Sequence, residues 1–432
     1  MFINSKEDLI NYFHQGSKKE LFIGVENEKF LFDQSSNSRA TYLKVKNVLY
    51  YLKKFGWQEV TEGKNLIGLK DNRKNITLEP GNQIELSGEK LKNIHEACSE
   101  SFIFLDQMKK VCEELDLKMM SIGFDPISKI ENVPKNPKKR YEIMTTEMPK
   151  NGKLSLDMMY RTCGTQINLD YDSELDFKKK FKLASYLTPI SIALFANSSI
   201  KEMKSSNFLS YRSKVWQSTS RGGLPQIFLE DMDFEKYTDM SLDMPLLFIL
   251  QNSKYINAEG KTFKDFIDGN IEAIENKKPT FKDFETHLAT IFTEVRLKKY
   301  IEIRSLDTCE WNCHCSGPAF YTGLLYGNLD EVLEVVSKWN KQDIMNAYLE
   351  APKKGLSTII NSKSILEWSE VLLNLSKKGL QKRNIKNKSG KDESIFLKSI
   401  ENTLLNKKTK AEKTLEDFNE KKGIDFFYEK KN

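Results

Sequence analysis

Apolar and polar residues alternate most sharply in four stretches, and each predicts a β-strand with two chemically distinct faces. A strand sends residues two apart to the same side. Over Leu21–Phe32, Glu26 and Glu28 therefore point one way and Val25 the other. Over Ile76–Leu86, Ile76, Leu78, Ile84 and Leu86 share one face, while Thr77, Glu79, Gln83 and Glu85, with Ser87 just beyond, share the opposite one. In Thr165–Tyr171 the apolar set is Ile167, Leu169 and Tyr171, against Gln166, Asn168 and Asp170. Val295–Arg304 sets Val295, Leu297, Ile301 and Ile303 against Arg296, Lys298, Tyr300, Glu302 and Arg304. Met119–Phe124 reads as a further strand.

Between these stretches the period changes to that of helices. Residues 5–16 predict a short helix with Ser5 as N-cap and Glu7 and Asp8 in its first turn. Ala40–Phe55 carries Tyr42, Val45, Val48, Leu49 and Leu52 at helical spacing and ends at Gly56. Lys90–Leu115, Phe177–Leu194 and Phe281–Phe292 also read as helices, and from Pro318 onward the pattern is helical. Residues 125–153, rich in Pro, Lys and Asn, predict an ordered loop over a site, and Ser205–Pro225 a polar loop bearing arginines. The tail after Ser376 is Lys-rich, and Lys407–Lys422 reads as a solvated helix or a frayed end. Half-buried strands favour an antiparallel sheet covered on one face by helices, an α+β architecture. The expected organisation is one catalytic domain over 1–432, with a sheet-bearing core at about 20–310 and a mostly helical part at about 318–432.

Composition narrows the class. Hydrophobic residues at 39% with charged residues at 30% fit a soluble globular chain. No apolar run approaches the roughly 20 residues that span a bilayer. The N-terminus turns charged at once and lacks the apolar core of a signal peptide, so the cytoplasm is the expected location. A net charge of +6 is too mild to indicate a nucleic-acid surface, and six cysteines in 432 residues do not make a disulfide scaffold.

The polar faces carry the chemistry. Glu26, Glu28, Glu79, Glu85 and Glu302 gather on strand faces backed by apolar residues, where like charges repel unless a cation joins them. Hard oxygen donors suit Mg²⁺ or Mn²⁺. Arg296 and Arg304 add guanidiniums, and metal with arginine is what phosphoryl transfer requires. Neither a P-loop nor a Gly-x-Gly-x-x-Gly motif occurs, so a nucleotide would be bound by metal and side chains on an open sheet. The run Cys309-Glu-Trp-Asn-Cys313-His314-Cys315 lacks the second arm of a zinc site, and the four histidines are scattered.

Seven ordered stretches carry a family resemblance. They are Gly24-Val-Glu-Asn-Glu-Lys-Phe30, Leu78-Glu-Pro-Gly-Asn-Gln-Ile-Glu-Leu-Ser-Gly88, Lys139-Arg-Tyr-Glu-Ile-Met144, Leu156-Asp-Met-Met-Tyr-Arg-Thr-Cys163, Phe195-Ala-Asn-Ser198, Phe208-Leu-Ser-Tyr-Arg-Ser213 and Glu294-Val-Arg-Leu-Lys-Lys-Tyr-Ile-Glu-Ile-Arg304. Together they resemble the glutamate–cysteine ligases of plant and proteobacterial type, relatives of glutamine synthetase. The resemblance implies a glutamine synthetase-like antiparallel sheet. It also implies ATP-dependent activation of the γ-carboxylate of L-glutamate, followed by attack of the L-cysteine amine on γ-glutamyl phosphate, the first step of glutathione synthesis. By matched position, Glu26, Glu28, Glu79, Glu85 and Glu302 would hold Mg²⁺, and Arg304 beside Glu302 would stabilise the transferring phosphoryl group. Arg161 and Arg212 would clamp a substrate carboxylate, Gln166 and Asn168 would add hydrogen bonds, and Arg221 would close over substrate. Trp216 reads as packing. Cys98 and Cys315 resemble the regulatory disulfide of the plant enzymes, while Ala258 stands where a cysteine of their second pair would fall. The expected state is a monomer or homodimer without membrane or nucleic-acid partners. A related ligase using another amine, or a Lys-rich nucleic-acid-binding protein, are the alternatives.

Overall fold

The sheet that organises the chain, described from a computed structural model, has nine strands. The structure describes all residues except 1, 72, 253, 275–276, 419–423 and 429–432. In chain order the strands are β1 (Ile23–Asp33), β2 (Gln58–Glu62), β3 (Asn65–Lys70), β4 (Asn75–Leu78), β5 (Ile84–Ser87), β6 (Leu117–Met120), β7 (Gly164–Leu169), β8 (Val295–Leu297) and β9 (Ile301–Asp307). Their spatial order is β8-β9-β7-β1-β5-β4-β3-β2, with β6 pairing the far end of β1. Every pairing in this sheet is antiparallel, as the alternating patterns require.

Two stretches read as single strands are hairpins. Ile76–Leu86 folds back at Pro80-Gly81-Asn82, and Thr77 lies opposite Glu85. Val295–Arg304 folds back at Lys298–Tyr300, and Arg296 lies opposite Glu302. Directly opposed residues of an antiparallel pair point to the same side. The face assignments therefore survive a turn that the alternation had hidden.

The apolar face is covered by helices. Val45, Val48, Leu49 and Leu52 of α2 (Tyr42–Leu52), with Phe104 and Met108 of α3 (Ile94–Glu114), pack on Leu69, Ile76, Leu78, Ile84 and Leu86. Farther along, Ile167, Leu169, Ile301 and Ile303 meet α6 (Glu174–Tyr186), α7 (Thr188–Leu194) and the later helix Ile365–Arg383 in one cluster. Burial of this many aliphatic side chains, at about 25 cal/mol per Å², anchors the sheet from behind. Helix α1 (Lys6–His14) starts at Ser5 in a capping box with Asp8. The segment Lys410–Asp417 forms a helix, while residues 419–422 of the expected tail element lie outside the described residues. Among the described residues no helix is long and apolar enough to cross a membrane.

The polar face is roofed rather than open. The stretch expected as a loop over 125–153 contains α4 (Lys139–Glu147), followed by α5 (Ser155–Arg161). The Ser205–Pro225 stretch, also expected as a loop, contains α8 (Tyr211–Gln217), capped by the Ser210 hydroxyl. Buried Tyr141 and Met144 of α4, Met158 and Met159 of α5, and Val215 and Trp216 of α8 share one cluster above the sheet. Short helices of this kind form because tertiary packing of one apolar side overrides weak local propensity.

Candidate active site

Strand register sets charged side chains in rows across the sheet. Glu26 on β1 lies opposite Gln166 on β7, and Glu28 lies opposite Glu85 on β5. Glu302 on β9 lies between Arg296 on β8 and Asn168 on β7. Glu26, Glu28, Glu85, Gln166 and Arg296, with Glu79, Arg304, Lys298 and Arg140, line one cavity of about 500 Å³ between the sheet and its roof.

One wall is acidic. Glu26 accepts hydrogen bonds from the Gln166 and Asn168 side-chain amides at 3.0 and 2.8 Å. Glu28 accepts from the Gly164 N–H at 2.6 Å. Glu85 accepts from the hydroxyls of Thr77 and Ser87 at 3.2 and 2.7 Å. Burial, and then repulsion by Glu79, pushes the Glu28 carboxyl up to about 7. Burial with Glu26, Glu79 and Glu28 nearby raises Glu85 well above the usual carboxylate range. Glu79 sits where β4 enters its turn, and that turn is fastened on several sides. The Leu78 carbonyl accepts from Lys138 Nζ at 2.7 Å and from the Tyr141 hydroxyl at 3.1 Å. Gln83 donates to the Met159 and Thr162 carbonyls, and the Gly81 carbonyl accepts from Arg39. A Cβ at Gly81 would lie 2.5 Å from the Tyr160 carbonyl oxygen, so only glycine fits that corner.

The opposite wall is cationic. Arg296, Lys298 and Arg304 surround Glu302, whose two oxygens meet Arg296 Nε and, at 2.7 Å, Lys298 Nζ. Burial alone would raise the Glu302 pKa, but Arg296, Lys298 and Arg304 outweigh it and hold the group far below the usual range. Burial and Arg296 lower the Arg304 guanidinium to about 10. Arg304 also donates to the Gln166 side-chain amide oxygen, Oε1, which locks its orientation.

The fit to a divalent cation differs among the five glutamates. Glu26, Glu28, Glu79 and Glu85 offer hard oxygen donors on one wall, and the raised carboxyls among them are what a cation would relieve. No group of three or more His, Cys, Asp or Glu side chains among the described residues is already closed around one point. Glu302 sits apart from these four, meeting Arg296 and Lys298 on the β8–β9 hairpin.

The expected substrate-binding residues divide. Gln166 lines the cavity, while Asn168 meets it only through its hydrogen bond to Glu26. Arg212 is buried directly behind it, donating from Nη2 to the Arg304 carbonyl at 2.8 Å, with its guanidinium 4.7 Å from the Trp216 ring centre. Arg161 is not at the cavity. Met158 and Met159 line it, and Arg161 turns instead to Asp157 at 2.9 Å, to Glu202 at 3.3 Å and onto the Phe124 ring. Arg221 is tied to the Thr290 carbonyl and hydroxyl and to the Pro245 carbonyl, beside a neighbouring cavity of about 710 Å³. Those three ties oppose the mobile closing role expected of it.

Several residues were not anticipated. Arg140 and Tyr141 of α4 line the cavity, and Arg140 Nε has no hydrogen-bond partner there. Their signal lay in the Lys139–Met144 stretch, which was treated as a loop. Trp216, read as packing, also lines the cavity. Cys98 and Cys315 are joined as a disulfide, and a second one, Cys309–Cys313, was not expected.

The chain matches the family described as glutamate-cysteine ligase family 2 over residues 22–425. The chloroplastic glutamate–cysteine ligase of Solanum lycopersicum is 39% identical over 97% of this chain and 80% of its own length. The chloroplastic enzyme of Nicotiana tabacum is 40% identical over 97% of this chain and 81% of its own. In fold, the crystal structure of Francisella tularensis glutamate–cysteine ligase in complex with AMP aligns with a TM-score of 0.52 at 13% identity, covering 95% of this chain and 88% of that one. The family match and these relatives define a ligase. The chain belongs to glutamate–cysteine ligase family 2. The expected cytoplasmic location is overturned, since the curated relatives are chloroplastic enzymes.

Proposed function

We propose that the cavity carries out ATP-dependent ligation of the L-glutamate γ-carboxylate to the L-cysteine amine, and that residues 1–432 act as one catalytic domain. The observation that carries this reading is the pairing of an acidic wall with a cationic wall across a single cavity of about 500 Å³. Anionic ATP and glutamate need positive charge on both sides, and neither wall supplies it alone.

Glu26, Glu28, Glu79 and Glu85 would hold Mg²⁺, which when bound would neutralise phosphate charge. Glu302 keeps Arg296 and Arg304 in place rather than serving as a ligand. Arg304 faces the transferring phosphoryl group, where a fixed guanidinium stabilises charge that grows in the transition state. Arg140, which lines the cavity and whose Nε has no hydrogen-bond partner, would take a glutamate carboxylate. Gln166 and Asn168 fix Glu26 through their amides. The roof of α4, α5 and α8 keeps water from the acyl phosphate before the amine attacks. No side-chain nucleophile is needed.

The test is phosphate release from ATP with Mg²⁺, with and without each amino acid. Wild type releases phosphate only when glutamate and an amine are both present. Glu85→Gln cuts that rate by at least about 100-fold. Release independent of both amino acids, or a Glu85→Gln enzyme at wild-type rate, refutes the reading. Substituting other amines for cysteine tests the acceptor separately.

A further inference from the structure

The cavity has a rim to which the ligation chemistry has so far assigned nothing. On the helix Phe281–Leu288, Lys282, Glu285 and Thr286 line the cavity, with Ala289 just past the helix end. Spacings of three and four put these residues in one stripe. Phe284, His287 and Leu288 are buried on the opposite side. The helix starts at Thr280 in a capping box with Asp283. Its far end is fastened to the cationic wall, where Arg296 Nη1 donates to the Ala289 and Ile291 carbonyls at 3.0 and 2.9 Å. The stripe therefore stands at a fixed place beside Arg296.

Two opposite charges stand side by side on this stripe without pairing. Positions three apart on a helix bring their Cβ atoms within about 5–6 Å, near enough for an ion pair. Glu285 instead accepts from the Tyr12 hydroxyl at 3.2 Å. Tyr12 is wedged against Phe281 and Phe284, with ring centres 5.9 and 5.6 Å away, so this oxygen is held in place. Lys282 makes no side-chain hydrogen bond or ion pair among the described residues. The other cations lining the cavity each meet a protein partner: Arg296 and Lys298 meet Glu302, Arg304 meets Gln166, and Arg140 meets the Tyr141 hydroxyl.

An ammonium beside a held carboxylate is the complement of a zwitterion. A nucleotide triphosphate would be repelled by Glu285, and the glutamate carboxylate is assigned to Arg140 on α4. The acceptor amino acid, with a carboxylate and an ammonium on one carbon, is the reactant still without a place. We infer that Lys282 and Glu285 form its subsite. Lys282 takes the carboxylate of the incoming α-amino acid, and Glu285 accepts from its ammonium as it enters. The site thereby selects α-amino acids over simple amines. This rests on the ligation proposed above.

The experiment measures γ-glutamylcysteine formation at saturating ATP, Mg²⁺ and glutamate, with cysteamine as competitor. Cysteamine is cysteine without its carboxylate. The readouts are the KM for cysteine and the inhibition constant of cysteamine. In wild type, cysteamine is expected to bind about tenfold more weakly than cysteine. Lys282→Met is expected to raise the KM for cysteine about tenfold, leave the cysteamine constant unchanged and leave the KM for ATP and for glutamate unchanged. Lys282→Arg keeps the cation and most of the affinity. Glu285→Gln weakens cysteine and cysteamine alike, since both carry the ammonium. Lys282 and Glu285 are exposed, so both variants fold, and their melting curves match wild type. The inference is overturned by equal binding of cysteine and cysteamine in wild type, or by a Lys282→Met enzyme whose KM for cysteine is unchanged. It is also overturned if Lys282→Met weakens cysteamine, ATP or glutamate as much as cysteine, or if Glu285→Gln binds both acceptors as wild type does. A wild-type enzyme that makes no γ-glutamylcysteine overturns instead the ligation reading on which the inference rests.

Discussion

Glu28 and Glu85 stand directly opposite one another across β1 and β5, two buried carboxylates on adjacent strands. Cross-strand pairs of like charge destabilise a sheet, so this register is tolerated only while a proton or a cation lies between them. The Glu28 carboxyl, ordinarily near 4.5, is raised to about 7. For an acid the sign is then fixed: the fold carries no penalty below the unfolded value and is progressively destabilised as pH rises through about 7. A bound cation removes that penalty. Mg²⁺ is therefore expected to raise Tm more at about pH 8 than at about pH 6, read by calorimetry. Glu85→Gln abolishes most of the difference.

Arg296 and Glu302 form the opposite kind of pair. Removing one partner strands the other charge in the interior. Arg296→Met is expected to cost about 3–5 kcal/mol in urea unfolding. The pair's contribution is present above the unfolded carboxylate range and is lost as pH falls through the depressed Glu302 value. The deficit of the variant therefore narrows on strong acidification. A cost that is small and independent of pH would contradict the account.

Arg161, expected to clamp a substrate carboxylate, lies away from the cavity, while Arg140, to which the sequence assigned no role, lines it. Arg161 is buried against Asp157 and Phe124. Arg161→Met should lower Tm and leave the KM for glutamate within about twofold, because no substrate contact is lost. Arg140 lines the cavity. Arg140→Met should leave Tm nearly unchanged and raise that KM by about ten- to a hundredfold, the worth of a charge-assisted hydrogen bond. Steady-state kinetics with a melting curve for each variant separates the two.

The two disulfides differ in the length of chain they close. Cys98–Cys315 joins residues 217 apart, and Cys309–Cys313 residues 4 apart. Loop-closure entropy assigns about 5 kcal/mol to the first and about 2 kcal/mol to the second. Cys98→Ser is expected to lower Tm by more than Cys313→Ser. Dithiothreitol should lower the wild-type Tm towards that of the double variant and leave the double variant unmoved.

Much of the site could be read from alternation alone, because strand geometry ties residue parity to face. Glu26, Glu28, Glu79, Glu85, Gln166, Asn168 and Arg304 all line the cavity or bond to residues that do. What alternation cannot reveal is a turn that keeps parity, and both hairpins were missed for that reason. Lys298 and Lys299 gave no glycine or proline to mark the second turn. The roof was hidden differently. Helices α4 and α8 are short and polar on their outer sides, and only packing of Tyr141, Met144 and Trp216 over the sheet makes them helical. Arg140 stands on α4, so its place in the site follows from the roof and not from strand parity. Charge pairing was equally invisible, since opposing Arg296 to Glu302 depends on where the chain turns.

The Cys98–Cys315 bond also decides how the molecule responds to tension. Residues 98 and 315 are crosslinked with a Cα separation of 5.9 Å. A force applied between the two ends of the chain can lengthen only the segments outside that crosslink. The 217-residue interval it encloses would stay out of the load path, withholding roughly 700–800 Å of contour length. Strands β6 to β9, from the later part of α3 onward, lie inside that interval, while β1 to β5 lie outside it. Pulling would thus peel away the strands bearing Glu26, Glu28 and Glu85 and leave the cationic wall shielded, until a reductant releases the stored length.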